Sequence, residues 1–399
     1  MAKNSFFSGT TVFGQLIKLI PDSILGKVVE QTCSDRYSKG FKTYDHLLSM
    51  LFATLAHCTS LREIEAAFAS MQGKGENSKV DFRPKRSTLS DANRKRSSTV
   101  FEALYQALFD HYRPFITDSQ LRSDESRSIY VIDSTTISLF QAILENAGRK
   151  PKTGKAKGGI KVHTVLKLED VVPMLIWMSK ASAHDSPYLS KLKPEAGSIY
   201  LFDRGYIDYK AYDAIVKAGA FFVTRLKENS VFDIIDEAFE PGSNIMRDVT
   251  IKFPRKAKGE IFTDEMYRLV EIKSEKDETP IRLLTNIQHL NPTQIGDLYR
   301  KRWQIELLFK QLKQNYPLKY FLGDTPNAIE IQIWVALIAN LLINVLKKSL
   351  NKAMAHSNLA TFLRINLLAY IKPTEVLNYL RHTNRKKPKS RQLKLQLSG

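Results

Sequence analysis

Three carboxylates, Asp133, Asp203 and Glu306, carry the strongest chemical signal in this chain. Two of them close short apolar runs, Ser128-Ile129-Tyr130-Val131-Ile132-Asp133 and Ser198-Ile199-Tyr200-Leu201-Phe202-Asp203, so two buried strands each present an acid at their C-terminal end. Glu306 lies in residues 298–313, whose apolar spacing predicts one continuous helix. Oxygen ligands of this kind suit the hard cations Mg2+ and Mn2+. Two such ions activate a nucleophile on one side of a phosphate and stabilise the leaving oxygen on the other. A lone Asp at a strand end is more often a cap or turn residue, so the reading rests on the three acids together.

The neighbours of Glu306 extend the pattern. At about 100° per residue, Tyr299, Arg302, Glu306 and Lys313 share one narrow stripe. That stripe borders the face formed by Leu298, Ile305, Leu308, Phe309 and Leu312, whereas Arg300, Gln304 and Gln311 fall on the far side. Charges beside a buried face line a cleft, where Arg offers a bidentate fork, Lys a point charge and Tyr a hydroxyl to a phosphate backbone. Taken alone, the same helix is also an ordinary amphipathic one with an Arg302–Glu306 pair at i,i+4.

These residues need a scaffold. Between the two Asp strands, residues 159–167 and 171–179 flank Leu168-Glu169-Asp170 as an antiparallel hairpin. A helix over 209–218 leads to a strand over 220–227, giving an α/β sheet with an antiparallel part. Residues 229–280 read as a β-rich insertion with strands at 248–253 and 265–272, and 281–285 as the return strand. Asn291-Pro292 and Thr325-Pro326 open the helices that follow. His184-Asp185 reads as the cap of a short helix, or less readily as a charge near the acids.

Residues 1–120 read as helical throughout. One helix covers 44–56, and Ser60 with Glu63 fits a capping box for the next. A further helix opens near Ser87-Thr88 within a cationic stretch holding Arg83, Lys85, Arg86, Arg94, Lys95 and Arg96. A helix that begins with hydroxyls and carries cations suits DNA, its amides and side chains meeting phosphates and base edges, though a solvated helix face would look the same. A second basic loop spans 149–161, and the tail from Arg381 carries seven cations and no acid.

Composition agrees with a polyanionic partner. The 399 residues hold 60 Lys and Arg against 41 Asp and Glu, a formal charge of +19. Only Cys33 and Cys58 occur, which excludes a disulfide framework and lacks zinc-site spacing. No signal-peptide pattern opens the chain, and the expected location is the bacterial cytoplasm, at the nucleoid. The longest apolar run, 331–346, is interrupted by Gln332, Asn340 and Asn344 and falls short of the roughly 20 residues needed to span a bilayer, so a buried core helix and no membrane are expected.

Tyr299-x2-Arg302-x3-Glu306-x6-Lys313 resembles the Y-x2-R-x3-E-x6-K signature of one large branch of DDE transposases encoded by bacterial insertion sequences. Val131-Ile132-Asp133-Ser134-Thr135 and Leu201-Phe202-Asp203-Arg204-Gly205-Tyr206 resemble the first and second Asp regions of that family, in the right order. The likeness extends to Gly159-Ile160-Lys161-Val162-His163, Leu283-Leu284-Thr285-Asn286 and the stretch from Phe321-Leu322-Gly323 to Trp334. It implies a ribonuclease H-like α/β catalytic core over 121–228 and 281–350 with the β-rich insertion at 229–280. An all-α DNA-binding domain over 1–120 precedes that core, and a helical C-terminal region with a basic tail over 351–399 follows it. By the same resemblance, Asp133, Asp203 and Glu306 bind two Mg2+ or Mn2+ ions per active site, and Tyr299, Arg302 and Lys313 hold transposon-end phosphates. Arg86, Arg94, Lys95 and Arg96 are expected as further DNA contacts from the cationic helical stretch itself. The expected activity is cut-and-paste transposition at terminal inverted repeats, by a homodimer or higher multimer on DNA. The alternatives are a metal-dependent nuclease without strand transfer and a non-catalytic DNA-binding protein. One departure stands out: hairpin-forming members use a Trp of the insertion to receive a flipped base, and here the tryptophans are Trp177, Trp303 and Trp334, leaving Phe232 or Phe253 to stack instead.

Overall fold

A computed structural model describes residues 8–71, 82–117, 127–139, 148–149, 157–170, 172–237, 244–254, 265–273, 279–318, 320–350 and 354–377. The basic tail from Arg381 and most of the basic loop at 149–161 lie outside the described residues.

Among the described residues the first 117 form helices only: α1 (Val12–Ile17), α2 (Asp22–Thr32), α3 (Thr43–Ala56), α4 (Leu61–Met71), α5 (Arg86–Lys95) and α6 (Thr99–Ile116). The capping box of α4 forms one residue wider than its spacing suggests. Ser60 Oγ accepts the Glu63 N–H at 3.3 Å, but the Glu63 carboxylate reaches back to the Thr59 N–H at 2.8 Å.

The described residues that follow form ten strands in one mixed sheet: β1 (Ile129–Leu139), β2 (Gly148–Arg149), β3 (Lys157–Lys167), β4 (Leu175–Lys180), β5 (Ile199–Phe202), β6 (Phe221–Arg225), β7 (Asp233–Glu237), β8 (Ile245–Lys252), β9 (Tyr267–Ile272) and β10 (Ile281–Thr285). Their order is β2-β3-β1-β5-β6-β10-β9-β8-β7, with β4 also paired to β3. The β1–β5 and β5–β6 ladders are parallel, and the other pairs are antiparallel. The insertion strands β7 to β9 therefore continue the same sheet through β10. Thr285 and Asn286 fasten that junction, the hydroxyl donating to Phe222 O at 2.5 Å and the amide accepting the Phe222 N–H at 2.9 Å.

Alternation along the strands sorts the two faces. Val131, Leu201 and Val223 point into the core shared with the helices, whereas Tyr130, Ile132, Tyr200, Phe202 and Phe222 form an aromatic layer with α8 (Tyr209–Lys217). Asp133 and Asp203 continue the odd-numbered series and so share the face of Val131 and Leu201.

The remaining helices are α7 (Ser186–Leu189), α9 (Pro292–Arg300), α10 (Trp303–Asn315), α11 (Pro326–Lys348) and α12 (His356–Ile365). Only α11, among the described residues, is long and apolar enough to cross a membrane, and 89% of its apolar window is buried inside the protein. It packs on α3, α6 and α12, with Trp334 against Tyr105 at 5.7 Å, so the N-terminal helices and the catalytic-side helices share one apolar core. The α5 helix is tied into the same assembly: the Asn327 amide donates to Asn93 O and to Arg96 O, both at 2.8 Å.

Candidate active site

The parallel ladder between β1 and β5 ends at Ile132 opposite Phe202. Asp133 and Asp203 are the next residues on each chain, on the same face, so they come together where β5 stops. Asp133 does not end its strand, as the sequence suggested. The β1 strand runs on to Leu139 because β3 continues to pair with it, from Tyr130 opposite Lys167 to Leu139 opposite Gly158. Asp133 thus sits where one edge of a continuing strand loses its neighbour, which opens room beside a rigid backbone.

The expected single helix over 298–313 is divided. The α9 helix ends at Arg300 and α10 begins at Trp303, with Arg302 as its first flanking residue. Across the joint the N–H groups of Lys301, Arg302, Gln304 and Ile305 bond three residues back, at 3.0 to 3.2 Å, so the backbone tightens for one turn. The apolar face survives this: Leu298, Ile305, Leu308, Phe309 and Leu312 are all buried. Gln311, expected to face solvent, is half-buried and donates to Asn340 of α11 at 3.1 Å.

Arg302 organises the site. Its Nη1 donates to Asp133 Oδ2 at 2.8 Å and its Nη2 to Glu306 Oε1 at 2.6 Å, and its side chain is only 14% exposed. Asp133 Oδ1 accepts the Ser134 N–H at 2.7 Å. Burial pushes the Asp133 carboxyl up to about 6, against the pull of Arg302 and the Ser134 amide, with the negative charges of Asp203 and Glu306 adding to the rise. Asp203, half-buried, makes no side-chain hydrogen bond or ion pair among the described residues. Tyr299 is half-buried with its ring 5.8 Å from the Arg302 guanidinium, and burial pushes its phenol up to about 12. Lys313, two turns beyond Glu306, lines a narrow apolar cleft with Thr135 and Phe309, and partial burial lowers its pKa.

All three acids thus share one neighbourhood, already arranged around a cation. With Arg302 in place, no three His, Cys, Asp or Glu side chains among the described residues are drawn closely enough to hold a metal ion. The donor set nevertheless fits a hard divalent cation: every candidate ligand is a carboxylate oxygen, and Asp203 has no competing partner among the described residues.

Behind the site, on the opposite face of the sheet, lies Asp185, whose first expected role is that of a helix cap. Asp185 stands at the N-cap position of α7 but makes no capping bond, contrary to its expected role. Its carboxylate instead accepts the Ser134 hydroxyl at 2.9 Å, pairs with Lys161 at 3.1 Å and faces His163 Nδ1 at 3.5 Å. His163 lies opposite Ser134 in the β1–β3 register and stacks on Tyr188 with ring centroids 3.7 Å apart. The pairing of Lys161-x-His163 with the residue after Asp133 was the available signal, but it needed the strand register to be visible.

The N-terminal cations divide. Arg86, Arg94 and Lys95 are exposed on α5, whose Leu89 and Asn93 are buried, and Lys95 lies 3.7 Å from Asp91. Arg96 is a correction. It is the C-cap of α5, buried, and donates to Phe41 O at 3.0 Å and Ser38 Oγ at 3.3 Å, with Asp35 at 3.6 Å. A guanidinium committed to loop oxygens and a carboxylate holds the helices together and is not presented to a phosphate. Phe253 is likewise buried, 4.5 Å from Tyr209 and 6.1 Å from Tyr267, so it is no free stacking platform, and Phe232 packs half-buried on the same layer.

Residues 124–342 match the family described as the transposase DDE domain, more than half of the chain. The chain belongs to the DDE transposases of bacterial insertion sequences. This transposase is 32% identical over 267 residues to the transposase y4zB of Sinorhizobium fredii, covering 66% of this chain and 71% of that one. Over 300 residues it is 27% identical to the transposase for insertion sequence element IS4SA of Synechocystis, covering 72% and 77%. Its residues 8–76 match a domain of unknown function. The piggyBac transposase, solved as a synaptic complex with hairpin DNA, overlays on 94% of this chain and 82% of its own at a TM-score of 0.47 with 13% identity. Membership of the family implies dependence on a divalent metal for the transposase.

Proposed function

We infer that this transposase binds the terminal inverted repeats of its insertion sequence, cleaves the DNA at those ends and joins the freed 3′-hydroxyls to target DNA. The observation that carries this reading is the convergence of Asp133 and Glu306 on the Arg302 fork, with Asp203 beside Asp133 where the β1–β5 ladder ends. The three antiparallel strands β4, β3 and β1 followed by the parallel β5 and β6 support the ribonuclease H-like core that the sequence resemblance implies.

Asp133, Asp203 and Glu306 would hold two Mg2+ or Mn2+ ions, which supply a polarised phosphate and a lowered pKa for the attacking hydroxyl. The chain itself positions the DNA. Arg302 lies between two carboxylates and exchanges them for a phosphate, its planar fork fitting either partner. Tyr299 is a neutral hydroxyl donor at neutral pH, as any phenol is, and burial moves its titration farther from that range. Lys313 adds a point charge two turns along α10. Exposed Arg86, Arg94 and Lys95 on α5 supply contacts farther from the cleavage point, and two protomers bring the two ends together.

The test is incubation of the purified protein with Mg2+ or Mn2+, labelled end DNA and a supercoiled target, for the wild type and Glu306→Gln. Joined products in the wild type that vanish in the variant are expected. Cleavage with no joining would reduce the activity to that of a nuclease, and specific binding with neither reaction would leave a DNA-binding protein.

A further inference from the structure

Past the C-terminal ends of β5 and β6 the described residues enclose an open cavity of about 590 Å³, lined by Lys161, His184, Asp185, Arg204 and Lys227 among others. Arg204 directly follows Asp203, and Lys227 lies two residues beyond the end of β6, so both sit on the edge where the parallel strands present their carboxyl ends. Open α/β sheets bind ligands at that edge. The cavity lies on the Ser134 side of the sheet, across from Arg302 and α10.

Its lining carries an excess of positive charge, with Lys161, Arg204 and Lys227 against the carboxylates of Asp185 and Glu228. Asp185 is already neutralised by Lys161 at 3.1 Å and by the Ser134 hydroxyl. Arg204 and Lys227 are exposed and make no ion pair among the described residues. Gly205 completes the wall at close quarters: a Cβ there would stand 3.2 Å from Asp185 Oδ2, so a side chain at this position would press on the carboxylate that holds Lys161. The cavity therefore presents two cations that make no ion pair among the described residues, one held cation and the Glu228 carboxylate, on the loop ends that follow Asp203 and β6.

We propose that this cavity is a second phosphate-binding subsite, formed by Arg204 and Lys227 with Lys161, that grips the DNA backbone on the side of Asp203 away from Arg302 and Lys313. The inference rests on the DNA-cleaving function proposed above. A strand crossing the end of the sheet is then held on both sides of the phosphate under attack, which fixes its direction through the site. The phosphates come either from the element's own end or from the target.

The full-length protein distinguishes these cases. Binding of an end duplex and of a nonspecific target duplex is measured by fluorescence anisotropy across about 50 to 200 mM salt, for the wild type, an Arg204→Gln/Lys227→Gln variant and a Lys193→Gln/Lys217→Gln variant. The last removes two exposed lysines that precede β5 and β6, at the far end of the sheet. The subsite predicts that the first variant loses about 2 from the slope of log K against log salt, about 1 per phosphate contact, while the control keeps the wild-type slope and both keep the wild-type melting temperature. Loss on end DNA assigns the end strand to the cavity, and loss only on the second duplex assigns the target. Equal slopes for wild type and Arg204→Gln/Lys227→Gln on both duplexes, or equal losses in the control variant, would overturn the subsite. A wild type that binds neither duplex would overturn the DNA-cleaving reading itself.

Discussion

Arg302 reaches from the start of the catalytic helix to Asp133 on the central strand, Nη1 to Oδ2 at 2.8 Å, while its second nitrogen holds Glu306 at 2.6 Å. The guanidinium is the cation that makes two partly buried acids tolerable beside a third. Removing it leaves those charges uncompensated, which costs more than the pair itself contributes. Arg302→Ala should lose about 2 kcal/mol of stability in metal-free buffer. Millimolar Mn2+ should then raise its melting temperature more than that of the wild type, because a bound cation stabilises the fold by mass action. Equal Mn2+ shifts in the two proteins would show that Arg302 and the metal do not share these carboxylates.

Asp203 should behave in the opposite way. Its carboxylate has no partner among the described residues and adds to the charge pressing on Asp133. Asp203→Asn should abolish DNA cleavage while leaving the melting temperature unchanged or slightly higher. A marked loss of stability would mean that Asp203 serves the fold.

Gly159 marks where β3 crosses β1 most closely. An added Cβ would lie 2.6 Å from the Ile137 carbonyl oxygen and 2.9 Å from Thr136 Cγ2, and the first of these is backbone that cannot turn aside. Gly159→Ala should therefore cost about 1 to 3 kcal/mol, read as a drop in the midpoint of denaturant unfolding. An unchanged midpoint would contradict this close approach.

Acid should weaken the helical region through His46. It is fully buried with Nε2 2.7 Å from Asn93 Oδ1, and burial, with the nearby Arg96 charge, lowers its pKa from 6.5 to about 3. An unfolded chain binds the proton that the folded one refuses, so stability is full above about 6.5 and falls as the pH drops from there toward 3. His163 and His356, both lowered to about 4, act in the same direction. Thermal melts from pH 7.5 to 4.5 should show a shallower decline for His46→Gln than for the wild type, and parallel curves would remove His46 from the account.

How much of this could be read from residues alone depended on whether the signal was local. The return strand at 281–285 matches β10 residue for residue, because a short apolar run bounded by polar residues has one reading. The buried face of α10 was equally legible, since it needs only helical periodicity. The second half of the Arg302 fork was not: Glu306 is one turn away, but Asp133 is 169 residues distant and meets Arg302 only through the tertiary fold. Asp185 was misread for the same reason, its proper partners lying on β1 and β3 while its local position looked like a helix cap. Arg96 failed differently. Nothing in a run of cations distinguishes the exposed Lys95 from its neighbour, and only the end of α5 turns Arg96 inward.

Asp133, Asp203 and Glu306 are expected to hold the metal ions of this transposase. Calorimetric titration of Mn2+ into the complex with end DNA tests this most directly, comparing the wild type with Asp133→Asn, Asp203→Asn and Glu306→Gln. The account predicts two bound ions for the wild type and loss of that binding in each variant. Unchanged stoichiometry and affinity in all three would place the metal elsewhere and contradict it.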